Sequence, residues 1–196
     1  MAVALKGLFP PITTPFTADG SLALDRLRAN LDRLAGEPLA GYVAGARQVD
    51  PSIRIVGAYA PSFSDTQAGE SLATQQIGQG ADILFQVAAQ TGLGYLSVAQ
   101  AHGLYGIGVD TDQSYLGPVI MTSAVKRVDV AVRLTVESVI DGTFSGGDHR
   151  YGLAQGATGF ASPSHVVPPG IVAQADAYAR RIATGQIVPP TQAPQP

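Results

Sequence analysis

Short apolar runs alternate with amphipathic stretches from Gly41 onward, and most of these stretches close on a glycine suited to a helix C-terminus. The apolar runs predict strands at about residues 53–59, 82–88, 105–110 and 119–122. The amphipathic stretches predict helices at about residues 66–79, 92–102 and 127–141. Alternation of this kind is typical of an α/β domain with a mostly parallel sheet.

The predicted helix at 127–141 has the clearest pattern. One apolar stripe runs along it, formed by Val128, Val132, Val136, Val139 and Ile140. Arg133 and Glu137 lie away from that stripe and are spaced for an i, i+4 ion pair. Asp65 is the predicted N-cap of the helix at 66–79.

The two ends of the chain differ from its middle. Residues 22–34 predict a helix in which Leu24, Leu27, Leu31 and Leu34 share one face, and Pro38 follows its end. Near the other end we predict a strand pair at about 151–161, a helix at about 171–183 and a disordered tail without apolar periodicity. The predicted domains are therefore an N-terminal appendage at 1–38, an α/β lobe at 39–188 and a tail at 189–196.

Composition narrows the classes of function. A net charge of −3 and the lack of any Lys/Arg-rich run argue against nucleic acid as a partner. No apolar stretch reaches the roughly 18 residues of a membrane-spanning helix, and Pro10 and Pro11 stand where a signal peptide would be apolar and helical. We therefore expect no membrane insertion and, for the chain as written, a cytoplasmic location. Because the chain lacks cysteine and its three histidines are far apart, we expect neither a metal site nor a cofactor.

Ligands of open parallel sheets bind beyond the carboxyl ends of the strands, so the residues that leave each strand are candidates for ligand contact. After the strand at 82–88, Thr91 and Gly92 begin the sequence TGLG. These small residues could hold a hydroxyl or an anion at a helix N-terminus, or could form an ordinary βα turn. Phe85 could stack on a planar base or belong to the core.

The next two strand exits carry opposite charges. GVDTDQ, residues 108–113, places Asp110, Asp112 and the amide of Gln113 at the rim of the crevice, where a carboxylate can accept two hydrogen bonds from a diol such as a ribose. Asp110 is the better candidate, because Asp112 fits a turn. Lys126 and Arg127 are predicted at the start of a helix, where positive charge is unfavourable. Asp129 offsets part of that charge, and Lys126 either reaches Asp110 or a ligand or is simply solvated.

These motifs resemble those of one known family. The ordered series GYVAGARQVDPSIRIVGAYAPSFSD, QIGQGADILFQVAAQTGLG, YGIGVDTDQSY and VIMTSAVKRVDVAV resembles the carboxyl-terminal lobe of the basic-membrane-protein family of bacterial ABC-transporter solute-binding proteins, over about residues 39–165. The resemblance implies a three-layer α/β sandwich, one lobe of a type I periplasmic-binding-protein fold. Characterised members bind purine nucleosides between two lobes. By this resemblance the ligand-binding residues are Phe85, Thr91, Gly92, Asp110 and Lys126, although the family commonly has AGGTG where residues 88–92 read AAQTG.

Residues 5–34 instead resemble the first βα unit of the dihydrodipicolinate synthase and N-acetylneuraminate lyase family, around TPF and DGSLALD. The first lobe, the signal peptide and the lipidation cysteine of the binding-protein family have no counterpart in this sequence. The resembled family is exported and membrane-associated. We therefore expect weakened nucleoside binding, or binding only when a partner lobe or a second copy closes the site.

Three functions stay open at this point. The first is that of a non-enzymatic solute-binding lobe, whose partners would be a nucleoside and an ABC permease. The second is that of an aldolase that forms a Schiff base with pyruvate; of the two lysines, Lys6 and Lys126, only Lys126 lies near a strand end. The third is that of a truncated or fused α/β module without a ligand.

Overall fold

The computed structural model describes residues 40–147 and 149–189. The described residues divide into two compact units, one of residues 40–98 with 189 and the other of residues 99–147 with 149–188. The predicted leucine-rich helix at 22–34, the segment at 5–34 that resembles an aldolase, and nearly all of the predicted tail lie outside the described residues. The predicted domain boundaries at 38 and 188 stay predictions.

The first unit consists of helices around one short strand. Its elements are α1 (Ala40–Val49), α2 (Thr66–Gly78), β1 (Ile83–Phe85) and α3 (Ala89–Ala101), and the last three residues of α3 fall in the second unit. Asp65 caps α2, as predicted, because its side chain accepts a hydrogen bond from the Ala68 amide at 3.0 Å. The buried side chains of this unit include Ala73, Leu84, Phe85 and Leu96, which belong to its core.

Two predictions for the first unit are wrong in part. Residues 53–59 do not form a strand: among them only Arg54 takes part in strand pairing, as a single bridge. The apolar side chains there are only partly buried, and a strand requires continuous pairing along its length. Helix α3 starts at Ala89, three residues before the predicted start at Gly92, so the small residues of TGLG lie inside a helix rather than in a turn.

The second unit contains a mixed sheet. Strands β2 (Tyr105–Asp110) and β3 (Ile120–Lys126) pair in parallel, with Asp110 opposite Val125. Strand β4 (Thr158–Phe160) pairs antiparallel with β3, with Thr158 opposite Lys126. Helices α4 (Val128–Ile140) and α5 (Pro169–Ala183) follow β3 and β4 along the chain, and short 3₁₀ turns occupy Ser114–Leu116 and Leu153–Gln155.

Strand β2 has the predicted bounds, whereas β3 begins one residue later and ends four residues later than predicted. Lys126 is the last residue of β3 and Arg127 is the N-cap of α4, so Lys126 belongs to a strand end and not to a helix. The predicted strand pair at 151–161 is a 3₁₀ turn followed by one strand. β3 extends to Lys126 because it pairs with β2 on one side and β4 on the other. The sequence TSA at 122–124 does not predict a strand by itself, because this pairing is with residues far away along the chain.

Helix α4 exposes the apolar stripe predicted for it. Its five members are 52–77% exposed. The face that packs against the unit includes Val130, which is buried, and Ala131, Leu134 and Thr135, which are partly buried. Among the described residues, no helix combines the length and apolar character that a bilayer crossing requires.

Candidate functional site at the ends of β2 and β3

Strand β2 ends in a strained turn at Asp110. The Thr111 amide donates a 2.8 Å hydrogen bond to the Val109 carbonyl, and Asp110 between them has a φ of +69°. A three-residue turn with a positive central φ is the rare form of the γ-turn. It costs on the order of 1 kcal/mol for a residue other than glycine, so the surrounding contacts must hold it in place.

Gln113 and Ser123 supply those contacts. The Gln113 side chain accepts a hydrogen bond from the Val109 amide at 3.0 Å, and its backbone amide donates to the Ser123 hydroxyl at 2.9 Å. Both residues are buried. Gly108 permits this approach, because a Cβ at that position would overlap the Ser123 hydroxyl and the Gln113 side chain. The segment after β2 is therefore folded back over the strand and fixes its last peptides.

Lys126 and Asp110 meet at this edge of the sheet. The ammonium nitrogen lies 2.6 Å from a carboxylate oxygen, with the lysine side chain 27% and the aspartate side chain 51% exposed. The parallel register produces the contact, because it sets Asp110 opposite Val125, the residue before Lys126. Sequence reasoning left the partner of Lys126 open, and the structure confirms Asp110. The pair thus places an ammonium group and a carboxylate side by side at a partly exposed edge of the sheet.

A second ion pair compensates the positive charge at the start of α4. The Arg127 guanidinium donates to the Asp129 carboxylate at 2.7 Å, as expected from the sequence. This hydrogen bond lowers the pKa of Asp129 and raises that of Arg127. Asp112 also has its predicted turn role, since its side chain accepts from the Ser114 amide at 2.9 Å.

Phe85, the predicted stacking residue, belongs to the first unit and is buried. Its ring stacks on that of Tyr42 with the ring centroids 5.0 Å apart and the planes 20° from parallel. Burial raises the pKa of the Tyr42 hydroxyl to about 12. Burial likewise raises the pKa of Tyr95, whose hydroxyl donates to the side chain of Gln76.

Thr91 is also buried and uses its hydroxyl within the protein. The hydroxyl donates to the Ser62 carbonyl at 2.8 Å and accepts from the Asp65 amide at 3.0 Å. Its backbone amide donates to the Phe63 carbonyl at 3.2 Å. Thr91 thus ties the first turn of α3 to the segment that leads into α2.

Gly92 packs against Gln86, whose side chain a Cβ at Gly92 would overlap. Gln86 in turn accepts from the Ala88 amide at 2.9 Å. Phe85, Thr91 and Gly92 all line one cavity of about 50 Å³ in the first unit. That volume is far below the roughly 300–1,000 Å³ of sites for small organic ligands. Ligand contact by these three residues stays a prediction.

Sequence reasoning missed the structural roles of two residues at the β2 end. Gln113 was expected at the rim but is buried, and Ser123 was not considered. The sequence places Gln113 five positions after a strand glycine, which hints at a close approach, but Ser123 becomes its neighbour only through strand pairing. Within 40–147 and 149–189, no group of three or more His, Asp or Glu side chains could hold a metal ion.

Comparisons with known proteins point to one family. A family model described as ABC transporter substrate-binding protein, PnrA-like, matches residues 36–192. The chain is 36% identical over 155 residues to Basic membrane protein A of Borreliella afzelii, covering 76% of this chain and 48% of that protein. It is 35% identical over 125 residues to the ABC transporter nucleoside-binding protein BmpA of Lactococcus lactis subsp. cremoris, covering 55% of this chain and 36% of that protein. The chain thus spans about half the length, or less, of the curated relatives it matches.

Solved structures show the fold. A solute-binding protein of an ABC transporter system from Aeropyrum pernix K1 superposes with a TM-score of 0.62 at 22% identity, over 97% of this chain and 58% of that one. A corresponding protein from Conexibacter woesei gives 0.64 at 24% identity, over 79% and 53%. A transcriptional activator of the comK gene from Bacillus halodurans gives 0.70 at 23% identity, over 78% and 54%. The α/β fold expected of a periplasmic-binding-protein lobe is confirmed.

Proposed function

Because this chain belongs to the family of PnrA-like ABC transporter substrate-binding proteins, we propose that it binds a purine nucleoside and contacts the ribose with Asp110 and Lys126. The family is one of binding proteins, which assigns the chain to a binding class rather than to an enzyme class. One curated relative is named as nucleoside-binding. We further propose that the chain serves an uptake system and delivers its ligand to a membrane permease.

The observation that carries the proposal is the ion pair at the ends of two neighbouring parallel strands, with its 2.6 Å contact. A carboxylate accepts hydrogen bonds from both hydroxyls of a vicinal diol, and an ammonium donates to a hydroxyl or ring oxygen. A ribose presents both kinds of partner within a few ångströms. The edge beyond the carboxyl ends of parallel strands is also where such folds bind ligands.

The conformation of Asp110 supports the same assignment. Strained backbone persists where the surroundings over-determine it, and it concentrates at ligand-binding sites. Here the buried Gln113 and Ser123 hold the turn, and the turn sets the direction of the Asp110 side chain. Since about half of that side chain is exposed, its carboxylate remains accessible to a ligand.

Calorimetric titration with guanosine, inosine and adenosine tests the proposal. Asp110→Asn keeps the size of the side chain and removes its charge, so we expect at least about a tenfold loss of affinity, as for a lost charged hydrogen bond. Asp129→Asn is the matched control, because Asp129 is also exposed and also paired with a basic side chain. Because relatives of the chain are about twice its length, we expect millimolar affinity for the chain alone. No heat and no thermal shift at millimolar nucleoside would contradict the proposal.

The same titration tests Phe85. If Phe85 stacks on a base, Phe85→Leu is expected to lower the affinity for guanosine and to leave the affinity for free ribose unchanged. If Phe85 is only a core residue, the variant is expected to lower the stability of the protein and to leave both affinities unchanged. The aldolase alternative required a lysine inside a barrel. Lys126 instead ends a strand of a mixed sheet, and the matched family is one of binding proteins.

A further inference from the structure

We propose that Thr158, the first residue of β4, is a further specificity-determining residue of the ligand site, and that its hydroxyl binds the 5′-hydroxyl of the nucleoside sugar. The inference rests on the proposed nucleoside binding and adds one residue to it. Sequence reasoning did not select Thr158, because only the register of β4 brings it to the edge of the sheet that Asp110 and Lys126 occupy.

Thr158 and Lys126 form a close cross-strand pair. They lie directly opposite each other in the antiparallel ladder of β3 and β4. One position further on, the Arg127 amide donates to the Ala157 carbonyl at 2.8 Å. Hydrogen-bonded and non-hydrogen-bonded pairs alternate along such a ladder, so Lys126 and Thr158 are a non-hydrogen-bonded pair, with Cα atoms about 4.5 Å apart and side chains on one face. The Thr158 side chain therefore lies beside the stem of Lys126.

The hydroxyl of Thr158 is accessible to a ligand. Thr158 is partly exposed, and within residues 40–147 and 149–189 its hydroxyl forms no hydrogen bond with another group. Every buried polar side-chain atom in that part of the chain has a hydrogen-bond partner, so a hydroxyl without one reaches the solvent. Because a threonine hydroxyl donates as well as accepts, it can exchange water for a hydroxyl of a ligand.

Asp110, Lys126 and Thr158 form a row across three adjacent strands. β2, β3 and β4 are neighbours in the sheet, and neighbouring strands lie about 4.8 Å apart. The ion pair occupies one end of this row and the Thr158 hydroxyl the other, over about two strand spacings, which is the scale of a sugar with a hydrogen bond at each end. If Asp110 accepts from the vicinal diol of the ribose, the hydroxyl that remains is the 5′-hydroxyl. That group is the one assigned to Thr158.

Removal of the hydroxyl from either partner tests the assignment. The full chain is titrated calorimetrically with whichever of guanosine, inosine and adenosine binds most tightly, and with the 5′-deoxy analogue of the same nucleoside. We expect the unmodified chain to bind the analogue about three- to tenfold more weakly, as for one lost neutral hydrogen bond. Thr158→Val keeps the shape of the side chain and removes its hydroxyl, so this variant is expected to bind the nucleoside and the analogue with equal affinity.

Two further variants separate recognition from a structural effect. Thr158→Ser keeps the hydroxyl and is expected to retain the preference for the nucleoside to within about twofold. Thr143→Val, at an exposed threonine of the same unit, is the matched control and should bind both compounds as the unmodified chain does. If Thr158 had only a structural role, Thr158→Val would lower both affinities by the same factor and leave their ratio unchanged. Thermal unfolding shows that each variant is folded.

Two outcomes would overturn the role of Thr158 and leave the proposed function in place. One is an unmodified chain that binds the nucleoside, depends on Asp110 for that affinity, and binds the 5′-deoxy analogue equally well. The other is a Thr158→Val variant that still prefers the nucleoside to the analogue. Failure of the unmodified chain to bind any of the three nucleosides would instead overturn the proposed function, and the role of Thr158 with it.

Discussion

At the scale of the residue, Ser123 connects three parts of the second unit. Its hydroxyl accepts from the Gln113 amide, and its carbonyl accepts from the Ala161 amide at 2.9 Å. The side chain is completely buried. If the Ser123 hydroxyl is removed, the buried Gln113 amide loses this acceptor, and water cannot replace it inside the protein. Substitution of Ser123 is therefore expected to be costly.

Ser123→Ala is therefore expected to destabilise the protein by about 1–3 kcal/mol, since the Gln113 amide is left buried without its acceptor. Urea unfolding followed by circular dichroism measures the difference. Ser71→Ala is the control, because Ser71 is an exposed serine on α2, where substitution should cost less than about 0.5 kcal/mol. Equal effects of the two substitutions would contradict this role for Ser123.

Tyr42 makes stability depend on alkaline pH. Burial raises the pKa of its hydroxyl from 10.0 to about 12, so the folded protein retains a proton that the unfolded chain loses. Stability is fully present below pH 10 and is expected to fall between about pH 10 and 12. Tyr42→Phe should flatten this decline in urea midpoints, whereas Tyr115→Phe, at an exposed tyrosine, should not. If stability falls equally with pH in Tyr42→Phe, the fall is due to other groups, among them Tyr95.

Contacts within four positions along the chain were predictable. The Asp65 cap, the Asp112 turn and the Arg133–Glu137 pair follow from spacing alone and are confirmed. The contact of Asp110 with Lys126 depends on two strands and required knowledge that parallel strands end at one edge. The burial of Gln113 was not predictable, because it depends on a serine ten positions away.

At the scale of the element, α2 and α3 cross at glycines. A Cβ at Gly69 of α2 would overlap the Thr91 carbonyl of α3, and one at Gly94 of α3 would overlap the Thr66 carbonyl of α2. The backbones of the two helices therefore touch directly. Close packing of this kind leaves no room for a methyl group.

Gly69→Ala is expected to destabilise the protein by about 1–3 kcal/mol or more, because the helices must separate. Gly78→Ala lies in the same helix with open space around it, and it should be neutral or stabilising by up to about 1 kcal/mol. Thermal unfolding of both variants measures the contrast. A neutral Gly69→Ala would mean that the helices do not cross as closely as described.

Helix periodicity predicts which residues share a face, but not what covers that face. In α4 the five apolar residues do lie together, yet they are exposed, and the side that packs against the unit contains Val130 and Leu134 instead. Strand length shows the same limit, because β3 continues to Lys126 only through its two partners. The pattern was therefore sufficient for the order of helices and strands from residue 66 to the end of α4, and insufficient for their packing.

At the scale of the whole molecule, the family could be identified from the sequence. The motifs around residues 108–113 and 119–132 carried the resemblance, and the family match over residues 36–192 confirms it. The first and second units each contain some of the proposed ligand residues. The sequence predicted one binding site from all five of these residues. It could not show that Phe85 and Thr91 are buried while Asp110 is exposed, because burial depends on packing and not on the order of the strands.

The joined ammonium and carboxylate at the β2 edge carry no net charge between them. A phosphorylated compound would gain from Lys126 and be repelled by Asp110, whereas the uncharged hydroxyls of an unphosphorylated sugar can use both groups. In the proposed complex, this absence of net charge would favour the nucleoside over the corresponding nucleotide, independently of the shape of the site.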